Sequence, residues 1–394
     1  MKINEIIKIN QDAVINSIVA GNLSLIAIVQ VSELAGIAAN TSTTVSSYND
    51  LTVIVAPTDE QNLNPGTEVD AIGRAWFGNE GGDLKIFAVA DDTNATAALN
   101  ELFESRQYFD SVIFSKKIAI SPEELVTISQ TVKINNKILG YTANQAPTAT
   151  DENVTEYEDM YEKLNEDSTC LSFSSLAVQT ADSINNYLFA AIMAKFSQID
   201  RAGVNTSQTV YFADANGLSV NSDLSNAEIK KLTDNNTLHV DSTQSGETVT
   251  KPFFYSINMA DKKTHITTRI NSTALMNEIQ AKSLSFLRTA KPSYKAIGFG
   301  KLISIATSAL IKYHRNGSLA EYTAAEIDSN PEFNKLSSKQ KTNLLNYGFA
   351  IPTTAESFNP DDKERAENRY PAIDIWARFS SGVGSVVFNF KVTQ

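Results

Sequence analysis

Short β-branched runs alternate with longer segments of helical apolar spacing over the first half of the chain. Apolar residues that fill a short run indicate a strand, whereas apolar residues three to four positions apart indicate a helix. The apolar stretch Ile18–Val31 predicts a buried strand at the start of this half. After it, we predict strands at Leu51–Ala56, Leu84–Ala90, Ser111–Phe114, Lys137–Tyr141 and Thr169–Phe173, and helices at Thr67–Gly78, Ala95–Tyr108, Ser121–Ile134, Val154–Asn165 and Thr180–Phe196.

Five alternations of strand and helix are typical of a largely parallel sheet with helices packed on its faces. One helix start is marked by three residues: Ser121 at the N-cap, Pro122 at the first helical position and Glu124 at the third. Together these residues predict a capping box. The fold class of this half is therefore α/β, and the whole chain is expected to be mixed α+β.

The second half has a different pattern. After Gln208–Asp214 comes the polar stretch 215–251, which indicates an exposed β-rich or loop segment, and then two long helical patterns at 271–289 and 295–315. Two alternating strands at the end, Ala372–Phe379 and Ser385–Thr393, flank a turn of small residues and predict a β-hairpin. We therefore divide the chain into an N-terminal arm (1–20), an α/β domain (21–207), a second domain (208–371) and a C-terminal hairpin (372–394).

The composition is that of an ordinary globular chain, with 42% of the 394 residues hydrophobic, 20% charged and only 10 prolines. The stretch Ile18–Val31 is too short to cross a hydrocarbon core of roughly 30 Å, and the first residues lack the positive start of a signal peptide. A single cysteine allows no internal disulfide. The net charge of −12 disfavours nonspecific binding to nucleic acid or anionic membranes. We therefore expect cytosolic synthesis, no nucleic acid partner and no membrane insertion.

The motifs that nucleotide binding or catalysis would need are missing. The first predicted strand-to-helix connection, 57–66, has one glycine and two carboxylates, which would repel phosphate. The sequence Gly298–Lys301 looks like part of a phosphate loop, but Leu302 replaces the hydroxyl residue that binds magnesium. The three histidines are isolated, no Gly-x-Ser-x-Gly occurs, and Cys170 lies in an apolar strand. We therefore predict no catalytic, cofactor-binding or metal-binding residue and no enzymatic activity.

Charge is unevenly distributed along the chain. Asp151–Asp167 contains eight acidic residues and one lysine, a net charge of −7, whereas Met276–Arg315 contains seven basic residues and one acid, a net charge of +6. Complementary segments of this kind can set the register between copies of a protein, although solvated helix faces have the same composition. The candidate acidic patch is Glu156, Glu158, Asp159 and Glu162, and the candidate basic residues facing a partner or another subunit are Lys282, Arg288, Lys291, Lys295 and Lys301.

Both ends of the chain carry β-prone segments. A terminal strand can leave its own domain and add to the sheet edge of a neighbour, where main-chain hydrogen bonds supply the affinity. A hairpin that closes its own domain fits the same pattern equally well. If the strands exchange, the apolar side chains that would carry the exchange are Ile3, Ile6, Ile7, Ile9, Val386, Phe388, Phe390 and Val392.

Several segments, taken in order, resemble a known family. They are Asp70–Phe77 followed by Gly82–Val89, the basic region Arg269–Arg315, and an ending in which Phe349–Pro352 precedes the charged segment Asp361–Ile373 and then the hairpin. This arrangement resembles a contractile tail sheath protein of a myophage, a member of the sheath family of contractile injection systems. The similarity covers most of the chain, although residues 215–251 match no part of the family pattern.

The resemblance implies subunits that stack as hexameric rings into a helical sheath around an inner tail tube. Terminal strands would link neighbouring subunits, and contraction would release energy stored in the extended assembly and drive the tube through the host envelope, without nucleotide hydrolysis and without a cofactor. The implied partners are further copies of the chain, the tail tube protein, and the baseplate and tail terminator proteins. The implied location is the tail of a virion assembled in the host cytoplasm, with residues 208–371 as the assembly domain.

Two other classes of function remain open from the residues alone. The first is an α/β nucleotide-binding protein or enzyme with a nonstandard site. The second is a receptor-binding or surface-binding virion protein, for which the polar stretch 215–251 would supply the binding surface.

Overall fold

The computed structural model describes residues 23–55, 67–105, 107–145, 156–206, 212–245, 248–249, 251–255, 258–292, 294–366 and 370–380. These residues form two compact units. The sheet unit contains the described residues of 23–198 and 212–267, and the helical unit contains those of 199–206 and 268–380. The predicted arm 1–20 and the second predicted hairpin strand, Ser385–Thr393, lie outside the described residues.

A six-stranded sheet forms the centre of the sheet unit. Its strands are β1 (Leu25–Gln30), β2 (Thr41–Val45), β3 (Leu84–Val89), β4 (Ser111–Phe114), β5 (Ile138–Ala143) and β6 (Thr169–Phe173). Their spatial order is β2-β3-β1-β4-β5-β6, with β2 antiparallel to β3 and every other pair parallel. The predicted largely parallel sheet is confirmed. Its inner strands β3, β1, β4 and β5 are buried almost continuously, as expected for a parallel sheet covered on both faces.

Seven helices of the sheet unit connect or cover these strands. They are α1 (Tyr48–Ile54), α2 (Glu68–Phe77), α3 (Ala95–Glu104), α4 (Pro122–Ile134), α5 (Glu156–Lys163), α6 (Leu176–Ala181) and α7 (Leu188–Ser197). The predicted capping box of α4 is only half present. Ser121 accepts a hydrogen bond from the Glu124 amide, but the Glu124 carboxylate accepts instead from the Thr96 amide on α3, at 3.0 Å.

Two predicted elements differ in the structure. Leu51–Ala56 was predicted as a strand because its residues are β-branched, yet Leu51 to Ile54 belong to α1, which Ser47 caps by accepting from the Asp50 amide at 3.2 Å. The predicted helix Thr180–Phe196 is interrupted, since Asp182 ends α6 and caps a 3-10 turn at Ser183–Asn186. The carboxylate of Asp182 is also held by Arg74 of α2, at 2.9 and 3.0 Å.

Residues 212–267 pack with the sheet unit rather than with the second domain that the sequence predicted to begin at 208. The Phe173 amide of β6 donates to the Leu238 carbonyl at 2.8 Å, and the Ala260 amide donates to the Thr169 carbonyl at 2.7 Å. These bonds attach the segment to the edge of the sheet. Its elements are α8 (Asn226–Asp234), β7 (His239–Asp241), β8 (Gln244–Ser245), β9 (Thr248–Val249) and β10 (Phe253–Tyr255).

Two long helices dominate the helical unit, as predicted: α9 (Ile266–Ala290), which begins two residues before the unit does, and α10 (Ala296–Arg315). They are followed by α11 (Ala324–Ser329), α12 (Ser338–Tyr347), β11 (Phe349–Ala350), α13 (Asp362–Ala366) and β12 (Trp376–Ala377). The core joins Leu275 and Ile279 of α9 to Leu310 and Tyr313 of α10 and to Phe349.

A glycine makes the turn from α12 into β11 possible. Gly348 has a φ of +70°, and a Cβ there would lie 2.2 Å from the Ala320 carbonyl oxygen. Only glycine fits this left-handed position against a neighbouring backbone. The turn brings β11 alongside β12.

Candidate assembly surfaces

Four exposed cations lie in or next to the connection between α9 and α10. Arg288 lies in the last turn of α9, Lys291 and Lys295 lie in the connection, and Lys301 lies in the second turn of α10; all four side chains are exposed. We call these four residues the basic turn. The sequence predicted all of them as candidate partner-facing residues, and their exposure makes them available for contacts with another protein.

Lys282, the fifth predicted cation, lies in an ion pair within its own helix. Its ammonium is 2.6 Å from the carboxylate of Glu278, and Lys312 of α10 reaches the same carboxylate at 2.8 Å. Glu278 is almost fully buried, which by itself raises the pKa of the carboxyl, but the hydrogen bonds from the two lysines hold that pKa below its ordinary value. Much of the charge of Lys282 is therefore neutralised locally.

Aromatic packing supports the start of α10. Tyr294 meets Phe358 edge to face at 5.4 Å between ring centroids, and Phe299 stacks on Tyr370 at 5.9 Å. A Cβ at Gly300 would come within 3.2 Å of the Ala355 side chain, so the glycine allows this close approach. The Gly-Phe-Gly-Lys sequence thus serves helix packing rather than a phosphate loop.

One face of α10 is exposed along its whole length. Ile297 is 78% exposed and Ile311 is 40% exposed, which is unusual for isoleucine on a packed helix. The spacing of four and three residues places all members of this face on one stripe. The apolar spacing of the sequence marks the buried side of α10, and the same spacing rule places these residues together on the opposite side. We call it the α10 stripe: Ile297, Lys301, Ser304, Ser308, Ile311 and Arg315.

By length and mean hydropathy, α10 is also the one described helix that could cross a membrane. Its Ala306, Leu310 and Tyr313 are instead buried in the core of the helical unit. A helix that packs into a protein core can be as long and as apolar as a helix that crosses a membrane, so length and hydropathy do not distinguish the two.

The predicted acidic patch is partly neutralised within the sheet unit. Glu158 pairs with Lys231 of α8, and Asp159 pairs with Lys163 at 2.9 Å. Glu162 is exposed. Glu156 is the first residue of α5, and the structure does not describe its side chain. The net charge of −7 counted along the sequence therefore overstates the charge that the described residues of this patch expose.

The residues predicted for strand exchange, Ile3 to Ile9 and Val386 to Val392, lie outside the described residues. The structure does describe the strand that leads to the C-terminal end. The Arg378 amide donates to Gly348, the Arg378 carbonyl accepts from Ala320 at 3.0 Å, and the Ser380 amide donates to Ser318 at 2.9 Å. Since main-chain groups alternate along a strand, those of Ala377 and Phe379 point to the opposite edge.

The groups that could support chemistry are few among the described residues. Cys170 is fully buried in β6, and burial raises the pKa of its thiol to about 12. No group of three or more His, Cys, Asp or Glu in the described part of the chain could hold a metal ion. A cavity of about 230 Å³ lies at the carboxyl ends of β4 and β5, but its one charged lining residue, Lys116, already donates to the Thr142 carbonyl at 2.6 Å.

The chain is similar to solved contractile assemblies over nearly its full length. It matches a chain of the baseplate of the anti-feeding prophage (AFP), with a TM-score of 0.65, 12% identity, and coverage of 96% of this chain and 95% of the other. It matches the AFP helical sheath in the contracted state with a TM-score of 0.62, 12% identity and coverage of 95% and 94%. A chain of the AFP baseplate in the contracted state gives a TM-score of 0.51, 11% identity and coverage of 96% and 94%.

No protein-family model matches the chain, and no curated protein matches its sequence. At 11–12% identity, the structural similarities establish a shared fold. The fold that the sequence resemblance implied is therefore confirmed.

Proposed function

We propose that the chain is a structural protomer of a contractile tail sheath. The observation that carries this proposal is the match to the AFP helical sheath in its contracted state, which spans 95% of this chain and 94% of the other. A match over both compact units supports a shared role better than a match to the sheet unit alone would, because α/β sheets serve many functions. Neither alternative function is favoured by an observation on the described residues.

In this proposal, copies of the chain form hexameric rings that stack into a helical sheath. Terminal strands link the subunits, through Ile3, Ile6, Ile7 and Ile9 at one end and through Val386, Phe388, Phe390 and Val392 at the other. The outward-pointing main-chain groups of Ala377 and Phe379 support an edge that can accept such a strand. Contraction is driven by free energy stored in the extended lattice, so the protomer needs no cofactor and no catalytic site.

The basic turn is the proposed contact with the inner tail tube. Its four cations are exposed, and one of them, Lys301, belongs to the exposed α10 stripe, a combination that fits an acidic protein surface. Lys282 contributes less, because Glu278 pairs with it. Glu162 and the remaining charge of Glu156, Glu158 and Asp159 face outward or meet a basic surface of another subunit. The ends of the sheath would meet baseplate and tail terminator proteins in a virion assembled in the host cytoplasm.

Strand exchange is tested by comparing the two faces of the last strand. In the sequence, Val386, Phe388, Phe390 and Val392 alternate with Val387, Asn389, Lys391 and Thr393, of which Lys391 and Thr393 lie nearest the end. Replacing the four apolar residues by serine is expected to abolish fast-sedimenting assemblies while circular dichroism shows a folded monomer. The matched control, K391S with T393S, should leave the assemblies intact. Equal sedimentation of both variants and the parent chain would contradict the proposal.

A further inference from the structure

Two histidines belong to segments whose main chain bonds to the outer edge of β6. The Phe173 amide donates to the Leu238 carbonyl at 2.8 Å, and Leu238 immediately precedes His239 in β7. The Ala260 amide donates to the Thr169 carbonyl at 2.7 Å, in a turn closed by the bridge between residues 258 and 265. The first bond is therefore made by the residue that precedes His239, and the second is made within the turn that ends at His265.

The surroundings of His239 suit only a neutral imidazole. Its Nδ1 lies 2.8 Å from the Thr237 carbonyl oxygen and therefore carries the hydrogen. Its Nε2 is buried without a hydrogen-bond partner among the described residues, and the Tyr255 ring lies edge-on at 5.6 Å. Asp241 on the same strand favours the charged form, but burial outweighs it and lowers the pKa of His239. A proton added at Nε2 would find no acceptor in the described part of the chain.

The hydrogen bond at Nδ1 and the burial of His265 also favour its neutral form. Its Nδ1 accepts a hydrogen bond from the Thr267 amide at 3.3 Å, so a proton at Nδ1 would place two donors against each other. Asp261, the acid of the same turn, is already used by Thr264, whose amide and hydroxyl donate to it at 2.9 and 2.6 Å. Lys262 and Lys263 add positive charge to the turn. Burial lowers the pKa of His265 to about 4.

We propose that protonation of His239 and His265 detaches Leu238 and Ala260 from β6, so that acid opens this edge of the sheet while the rest of the sheet unit stays folded. Other attachments of the segment do not involve histidine, such as the Ser175 amide bonded to Asn221 at 2.8 Å. The opening is therefore local. It exposes main-chain groups of β6 that can pair with a strand of another chain.

Hydrogen exchange of the full-length chain tests this directly. After correction for intrinsic rates, the amides of Phe173 and Ala260 should exchange about tenfold faster or more at pH 4.5 than at pH 7.5, since each unit of pKa depression corresponds to a factor of ten in the opening equilibrium. The Leu139 amide, which bonds the Ser168 carbonyl at 2.8 Å, should keep its protection. Unchanged protection at Phe173 and Ala260, or equal loss at Leu139, would overturn the proposal.

Substitutions assign the effect to the two histidines. The double variant H239Q/H265Q should lose most of the acid acceleration, whereas H314Q, at a histidine paired with Glu321 in the helical unit, should retain it. If the double variant does not fold, the imidazole resonances of the parent chain provide the second test. His239 must then titrate over the pH range in which Phe173 loses protection. Titration near pH 6.5 with protection intact would refute the mechanism.

Discussion

The ammonium of Lys282 lies 2.6 Å from the carboxylate of Glu278, one turn earlier in α9, and this contact separates Lys282 from the other cations of the region. Lys312 reaches the same carboxylate from α10. One buried acid thus links the two long helices and neutralises a lysine that would otherwise belong to the basic surface. Charge counted along the sequence and charge presented to a partner differ for this reason.

Replacing Glu278 by glutamine should lower the free energy of unfolding by about 1–3 kcal/mol at pH 7, because a buried acceptor of two charged hydrogen bonds loses its charge. Urea denaturation measures the change. The hydrogen bonds hold the pKa of Glu278 below its ordinary value of 4.5, so this stabilisation is present above that pH and is lost as pH falls through the folded-state pKa. The control E332Q removes an exposed partner of Lys335 and should change stability by less than about 0.5 kcal/mol. Equal losses for E278Q and E332Q would contradict the assignment.

Charge reversal in the basic turn tests the proposed contact with the tail tube without changing the stability of the chain. K295E with K301E should leave the unfolding midpoint unchanged, because both side chains are exposed, but should weaken co-sedimentation with the tail tube protein about tenfold or more at low salt. The control K335E reverses an exposed lysine elsewhere in the helical unit and should leave tube binding unaffected. Tube binding by K295E/K301E that equals the parent level at low salt would rule out the basic turn as the contact.

The regular elements could largely be predicted from local sequence. The β3, β4 and β6 runs and the start of α4 carry strong signals of apolar content and capping, and the structure places them at or near the predicted residues. By contrast, the predicted strand Leu51–Ala56 is equally β-branched, but its residues Leu51 to Ile54 belong to helix α1, which Ser47 caps, while the polar strand β2 takes the edge of the sheet beside β3. Local propensity is overridden there by tertiary contacts.

The candidate surfaces were only half predictable. The exposure of the basic turn could be predicted, because several cations close together in the sequence are rarely buried. The pairing of Glu158 with Lys231, 73 positions along the chain, does not, because the contact depends on where α8 packs. The attachment of residues 212–267 to the sheet was missed for a similar reason: it rests on main-chain bonds at Leu238 and Ala260, which leave no mark in composition.

The contribution of Lys137 to the stability of the chain should rise between pH 8 and pH 10.5, whereas the raised pKa of Cys170 acts in the opposite sense above pH 9. Lys137 is fully buried, and burial lowers its pKa from 10.5 to about 8, with Asp110 opposing the shift. Between these values the unfolded chain binds the extra proton, so raising the pH favours the folded state. In K137M this rise should be flattened, as measured by urea denaturation at pH 7.5, 9 and 10. A rise in K137M as steep as in the parent chain would contradict the role of Lys137.

A single methyl group at Gly140 should be costly. A Cβ there would lie 2.1 Å from the ring of Phe189, which is itself almost fully buried and cannot move aside easily. G140A is therefore expected to lower the free energy of unfolding by about 1–3 kcal/mol. G82A is the control, because nothing lies within 4 Å of its added carbon, and it should be neutral or slightly stabilising. Equal melting temperatures for G140A and G82A in thermal unfolding would contradict the close packing of β5 against α7.

The central claim, that the chain is a self-assembling sheath protomer, is tested most directly by negative-stain electron microscopy of the purified full-length protein over a range of concentration and salt. The account predicts tubes with regular helical striations that disappear when Ser385 to Gln394 are deleted, while circular dichroism of the deleted chain remains that of a folded protein. Monodisperse monomers of the full-length chain under every condition would contradict it.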